Sequence, residues 1–463
     1  MDSGNNSLYD NDIDIESVGE SSVADDSERR KARAKKRKKA RNRAIAFLCI
    51  LLLLIVVLVV LIIYILTGGD AISLPDISVG TSTENIEDDD VAIVISGEET
   101  MEEFDPESLI PEPTYEEKLD ELVSAAVDVM PIEDKVAGLF VVTPENITGV
   151  SAAIKAGDST KEAMTKYAVG GFIYFGKNIK DADQIKEMIS ATVSYSRYPL
   201  FIAVDEEGGS ISRLSNSGIF DKLPSAADVG ATGDTNTAYE TGLKIAENMT
   251  SLGFNLDFAP VADLKTPTNN LLATRSYGSD PDEVSGYVLQ MMQGLSDGNV
   301  TSCVKHFPGI GSADGDTEEG MAPSSISRED LESGEFQIYR KAIEAGAKMI
   351  MVDHVAVPAL TGDNTPCSLS KSVVTDILRE EMDYDGVIIS DALNMGAISE
   401  YYSSSEAAVM AIRAGCDMVL MPENFEEAYN GVLQAVENGQ ISEDRITDSL
   451  KRVYRIKFAD RVE

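Results

Sequence analysis

YDGVIISD (384–391) is a short apolar run without alternation that ends on a carboxylate. A strand buried on one face alternates apolar and polar residues. A continuous apolar run of this length signals burial on both faces, as in a parallel sheet covered by helices. Six similar runs lie upstream: KVAGLFVV (135–142), VGGFIYFG (169–176), PLFIAVD (199–205), FNLDFAPVADL (254–264), VTSCVKHF (300–307) and AKMIMVDH (347–354). One lies downstream, CDMVLMP (416–422). Helical patterns separate them. Eight strands alternating with helices fit a single (β/α)8 TIM barrel in number and length. An open doubly wound sheet would usually have fewer strands, and no GxGxxG turn follows the first run.

The polar residues gather at the ends of these runs. Asp205 closes the third, Asp257 and Asp263 lie at the fourth, Lys305 and His306 at the fifth, Asp353 and His354 at the sixth, and Asp391 at the seventh. Barrel active sites occupy this carboxyl-terminal rim. Five strands ending on titratable groups after core residues point to a functional set rather than to surface solvation.

The amino-terminal part reads differently. Residues 1–28 are polar, acidic and without period, as in a disordered tail. Residues 29–43 (RRKARAKKRKKARNR) hold eleven basic residues, and AIAFLCILLLLIVVLVVLIIYIL (44–66) follows without a charge. That run is long enough for a transmembrane helix, and too long and wrongly flanked for a core helix or a cleaved signal peptide. The basic block predicts residues 1–43 in the cytoplasm, facing anionic headgroups, with the remainder outside the cell. Residues 67–113 carry no Lys or Arg and runs such as ENIEDDD, so they read as an extended, self-repelling acidic linker; VAIVISG (91–97) is a possible strand within it. The barrel then takes residues 114–463.

Composition narrows the chemistry. With 39 basic against 79 acidic residues the net charge is −40, which argues against nucleic acid as a partner. Four scattered cysteines form neither a disulfide framework nor a metal-type spacing. Two histidines, His306 and His354, are too few for a multi-histidine zinc site. No cofactor or metal is expected, and oligomeric state is not readable.

Six motifs, in order, resemble those of glycoside hydrolase family 3, and more closely its single-domain β-N-acetylglucosaminidase branch. DEEGGSISRL (205–214) is similar to DxEGGxVxRL, ATRSYGSDP (273–281) to RSFGxDP, and KHFPGIG (305–311) to KHFPGHG. MVDHVAVPAL with TPCSLS (351–370) resembles MxAHVxxPxxD and PASLS, ISDALNMGAI (389–398) resembles SDDLxMxA, and AIRAGCDMVLMP (411–422) matches the closing strand motif. The resemblance covers residues 115–460.

It implies a retaining glycosidase in which one carboxylate attacks the anomeric carbon and an acid protonates the leaving oxygen. Asp391 matches the nucleophile; the alternative reading of the residue is an N-cap for a helix over 392–400. The resemblance assigns Asp205, Arg213, Arg275, Lys305 and His306 to the aminosugar pocket. The three cations would also help keep Asp391 ionised, and an Asp205–Arg213 ion pair is compatible with that role. His354 could be no more than a satisfied rim histidine.

The acid/base position departs from the family. There the loop carries Asp-Ser/Thr-His; counting from Lys305, Asp316 and Thr317 match the first two and Glu318 replaces the histidine. Ile310 replaces the second His of KHFPGHG. Three readings follow: Glu318 is the acid/base with Asp316 as its partner, raising its pKa; Asp316 or Glu319 does the work; or the acid function is weak or lost. The Gly- and Asp-rich loop reads as mobile, closing on substrate.

The expected function is an exo-acting retaining β-N-acetylglucosaminidase acting on cell-wall or other extracellular glycans. The alternatives are a weak or inactive surface-anchored glycan-binding protein, or a family 3 glycosidase for another sugar.

Overall fold

The computed structural model describes residues 113–267 and 269–462. The basic block, the 44–66 run, the linker up to residue 112 and the strand expected at 91–97 lie outside the described residues. Among the described residues no helix is long and apolar enough to cross a membrane.

Eight parallel strands close into a barrel. In chain order the strands are β1 (Phe140–Val142), β2 (Gly171–Ile173), β3 (Phe201–Val204), the short pair β4 (Glu206–Gly208) and β5 (Ile211–Ser212), then β6 (Leu256–Asp257), β7 (Thr301–Phe307), β8 (Met349–Val352), β9 (Val387–Ala392) and β10 (Met418–Leu420). Around the barrel the order is β1-β10-β9-β8-β7-β6-β3-β2, while β4 and β5 form a separate antiparallel hairpin. Each of the eight apolar runs contributes a barrel strand shorter than the run that predicted it, β9 extending one residue past its run to Ala392. The first run is divided: Lys135, Val136 and Ala137 end the helix Ile132–Ala137, and only Phe140–Val142 joins the sheet.

The strands are apolar on both sides because both sides are covered. FIAV in β3 and MIMV in β8 are buried throughout. Outside the barrel, helices such as Asn236–Leu252, Pro281–Asp297 and Glu443–Lys457 turn one apolar face inward. The first described helix, Tyr115–Asp128, starts with a Thr114/Glu117 capping box, and its Tyr115 hydroxyl donates at 2.7 Å to the carbonyl of Ala459, just past the helix Glu443–Lys457.

The hairpin β4–β5 explains the glycines of DEEGGSISRL. Gly208 and Gly209 turn with φ of 90° and 59°, and a Cβ on Gly208 would lie 2.3 Å from the Pro224 carbonyl oxygen. Only glycine fits this tight return. The return carries Arg213 back beside the end of β3.

Candidate active site

Loops and strand ends at the carboxyl-terminal face enclose a cavity of about 610 Å3. Its lining brings together all eight residues expected from the sequence: Asp205, Arg213, Arg275, Lys305, His306, Asp316, Glu318 and Asp391.

Their pairings are more specific than the sequence indicated. Lys305 Nζ lies 3.0 Å from Asp205 Oδ1 and 2.7 Å from Glu207 Oε1. Arg275 grips Glu207 with two parallel bonds, Nε to Oε2 and Nη2 to Oε1, both 2.8 Å. Arg213 reaches Asp205 only loosely, at 3.5 Å. Two of the three cations are therefore committed first to Glu207 rather than to Asp391. Burial alone would raise the Glu207 pKa, but Lys305 and Arg275 outweigh it and hold the carboxyl well below the usual range. Burial likewise opposes the Lys305 charge, and Asp205 and Glu207 overcome it, leaving the ammonium pKa above the ordinary lysine value.

Glu207 was not among the expected site residues, although strand periodicity offers a signal: residues 205 and 207 share a face and 206 takes the other. Glu206 indeed turns away, accepting from the Leu214 N–H at 2.8 Å and from the Ser215 hydroxyl at 2.9 Å.

His306 is fixed from both ring nitrogens. Nδ1 lies 2.6 Å from Asp263 Oδ2, and Nε2 lies 3.3 Å from Arg275 Nη2. A guanidinium only donates, so Nε2 accepts and Nδ1 carries the hydrogen given to Asp263. Asp263 also receives the Ile310 N–H at 2.9 Å and so anchors the KHFPGIG turn.

Asp391 sits in β9 with part of its surface open to the cavity. One oxygen takes the Ala392 N–H at 2.7 Å. Burial works against its charge, but the Ala392 N–H and the Lys305 ammonium support it, and its pKa falls below the ordinary aspartate value. His354 is buried and satisfied: Nε2 donates to the Ala392 carbonyl at 3.0 Å, so Nδ1 accepts from the Ser368 hydroxyl at 2.7 Å. It thus braces the backbone beside Asp391. Directly after β8 the neighbouring Asp353, 1% exposed, is pushed well above the carboxylate range by burial and then by Asp391. The sequence motif carries Ala at this position, and Asp353 had been assigned no role.

Glu318 reaches the cavity from the loop after β7 and remains exposed at its rim. Partial burial, then the charges of Asp316 and Asp391, raise its pKa. Asp316 lies on the near side, accepting the Glu318 N–H at 2.9 Å. The loop is docked: Gly396 and Ala397, just beyond Asp391, donate to the carbonyls of Glu318 and Thr317 at 3.0 and 3.1 Å.

The family described as "Glycosyl hydrolase family 3 N terminal domain" matches residues 114–456. A β-hexosaminidase of Chromobacterium violaceum is 34% identical over 278 residues, 58% of this chain and 76% of that protein. "Beta-hexosaminidase A" of Pseudoalteromonas piscicida is 28% identical over 331 residues, 64% of this chain. The chain spans about half of that relative, 54% of its length. Among solved structures, a family 3 β-N-acetylglucosaminidase from Paenibacillus sp. str. FPU-7 superposes with a TM-score of 0.67 at 34% identity, covering 72% of this chain and 63% of that one. With the family matched over most of the chain, and with curated β-hexosaminidases among its relatives, the chain belongs to glycoside hydrolase family 3, in the branch of the β-hexosaminidases.

Proposed function

We propose that the chain is an exo-acting retaining β-N-acetylhexosaminidase that removes terminal β-linked N-acetylhexosamine through a covalent intermediate on Asp391. The observation that carries this reading is the opposed tuning of two carboxyl groups on one cavity. Asp391 is biased toward the carboxylate and Glu318 toward the acid. A retaining glycosidase needs that division of labour.

In the first step an Asp391 oxygen forms a bond to the anomeric carbon as the C–O bond to the leaving group breaks. The Glu318 proton passes to the departing oxygen. In the second, the Glu318 carboxylate takes a proton from water, the water oxygen bonds to the anomeric carbon, and the Asp391 ester is released. Asp205, Arg213 and the Lys305–Glu207–Arg275 network line the sugar site, and His306, oriented by Asp263, offers Nε2 to the same space. Asp316 keeps Glu318 protonated between turnovers.

In this reading residues 44–66 tether the chain to the cell membrane with residues 1–43 inside. The acidic linker holds the barrel outside, where cell-wall or other extracellular glycans are the substrate.

The test is incubation with p-nitrophenyl N-acetyl-β-glucosaminide, with the anomeric configuration of the first-formed sugar followed by NMR. Nitrophenol release with β-configured product is expected, and Asp391→Asn abolishes it. Inverted product, or turnover retained in Asp391→Asn, would overturn the mechanism. Saturable binding without release would mark a glycan-binding protein instead.

A further inference from the structure

Resting on the assignment of Asp391 as nucleophile, we propose that Asp353 is its positioning residue: a neutral carboxyl that donates a hydrogen bond to the Asp391 carboxylate and links it to the loop carrying Glu318.

The pairing follows from the sheet. β8 and β9 run parallel in a register that sets Val352 opposite Ser390, so the next residues, Asp353 and Asp391, are neighbours at the barrel mouth. Their carboxyl groups are near enough that the charge of Asp391 acts strongly on Asp353. Two carboxylates this close in a buried site do not both ionise; one keeps a proton and shares it.

The surroundings decide which one. Asp353 is sealed, and its Oδ1 takes the Val355 N–H at 2.6 Å. Its backbone is pinned as well, the N–H donating to the Phe307 carbonyl at 2.9 Å and the carbonyl accepting from Ser368 at 3.0 Å. Asp391 opens to the cavity. It faces His306 and Lys305 from β7, His354 and Asp353 from the end of β8, and Glu318 from the loop above; Asp263, beyond β6, faces Asp353. The Lys305 ammonium and the Ala392 N–H favour charge on Asp391, whereas the charges acting on the sealed Asp353 are those of Asp391 and Asp263. The proton therefore resides on Asp353.

The second contact reaches the acid loop. Thr317 Oγ1 approaches Asp353 Oδ2 at 3.4 Å, and Thr317 immediately precedes Glu318. A line Thr317–Asp353–Asp391 thus joins the residue before the acid to the nucleophile. A fixed donor holds the Asp391 carboxylate in one orientation, so that its free oxygen meets the anomeric carbon.

The test is the pH profile of kcat/KM and the separate values of kcat and KM on p-nitrophenyl N-acetyl-β-glucosaminide. Wild type, Asp353→Asn and Asp353→Ala are compared at equal folded fraction by circular dichroism. Asparagine can accept from Val355 and donate to Asp391, so its acidic limb stays at the wild-type pH while kcat falls several-fold. Alanine removes the donor from Asp391, so the acidic limb moves up by about one pH unit and kcat drops about tenfold or more with KM little changed. Should the alanine variant not fold, Asp353→Ser, whose hydroxyl stops short of Asp391, replaces it with the same expectation. An acidic limb that stays in place in the donor-less variant, or asparagine and alanine variants that behave alike, overturns the proposal. Asp391→Asn run in parallel separates the two claims: activity there would remove the nucleophile assignment itself, whereas an inactive Asp391→Asn beside an unshifted Asp353→Ala removes only the role of Asp353.

Discussion

The N–H of Gly396 donates to the carbonyl of Glu318 at 3.0 Å, which fastens the acid loop to the turn that follows Asp391. A Cβ on Gly396 would lie 2.7 Å from the Glu319 carbonyl carbon, so the close approach depends on glycine. Gly396→Ala should push residues 317–320 outward. With the acid displaced by even ~1 Å, kcat/KM should fall about 100-fold. The melting temperature should drop only slightly, because the affected segment is a rim loop. Steady-state kinetics beside thermal unfolding check this, and a variant with wild-type turnover would show that loop docking does not position the acid.

Glu318→Gln separates the acid from its neighbours on the same loop. Loss of a general acid slows bond cleavage most where the leaving group is poor, typically by about 10²- to 10⁴-fold. Aryl glycosides with acidic phenols should form the glycosyl-enzyme almost normally and stall at the second step, where azide should restore turnover as a glycosyl azide. If natural glycans are cleaved at the wild-type rate, the acid is Asp316 or Glu319 instead.

The strands and the rim residues were legible because burial on both faces leaves an unbroken apolar run, and a charge at the end of such a run stands out. What stayed hidden depends on who faces whom. Asp353 and Asp391 become partners through the register of β8 on β9, which no local pattern encodes. Glu207 falls on the fixed Glu of DxEGG but had no role attached to it, and only the strand shows Glu206 as a backbone cap and Glu207 as a clamp for two cations. The first run, KVAGLFVV, shows the opposite limit: apolarity alone does not tell the end of a buried helix from the start of a strand. The loop after β7, read as mobile from its Gly and Asp content, is held by backbone bonds to residues almost eighty positions away in sequence, beyond the reach of composition.

Glu207 should also shape acid stability. Its pKa is lower folded than unfolded, so its ion pairs stabilise the fold fully above the ordinary glutamate value of 4.5 and are lost as pH falls below it. Glu207→Gln leaves Arg275 without its bidentate partner in a buried site, costing about 3–5 kcal/mol at neutral pH. Denaturant melts at neutral and acidic pH should therefore converge for wild type and variant as the pH drops. A difference that stays constant with pH would mean that the pairs contribute shape rather than charge.

Glu335, the first residue of the helix Glu335–Glu344, carries the opposite sign. Burial, reinforced by the charge of Asp263 and only partly offset by backbone N–H groups, raises its pKa to about 7. A carboxyl whose folded pKa lies above its unfolded one supports the fold fully below about 4.5, and that support disappears as pH rises through about 7. At pH 8 the wild type holds a buried carboxylate held by backbone N–H groups and repelled by Asp263, whereas Glu335→Gln holds a neutral amide of the same shape. The variant should therefore gain on the wild type between acidic and alkaline pH, by up to about 3 kcal/mol on the scale of 1.36 kcal/mol per pKa unit. Because Glu335 packs within 3 Å of where a Cβ on Gly309 would stand, that gain should be accompanied by firmer packing of the KHFPGIG turn that holds His306. Melts of both proteins at acidic and alkaline pH, with kcat/KM at each, decide it: parallel stability curves would show that Glu335 titrates normally and that the turn is independent of it.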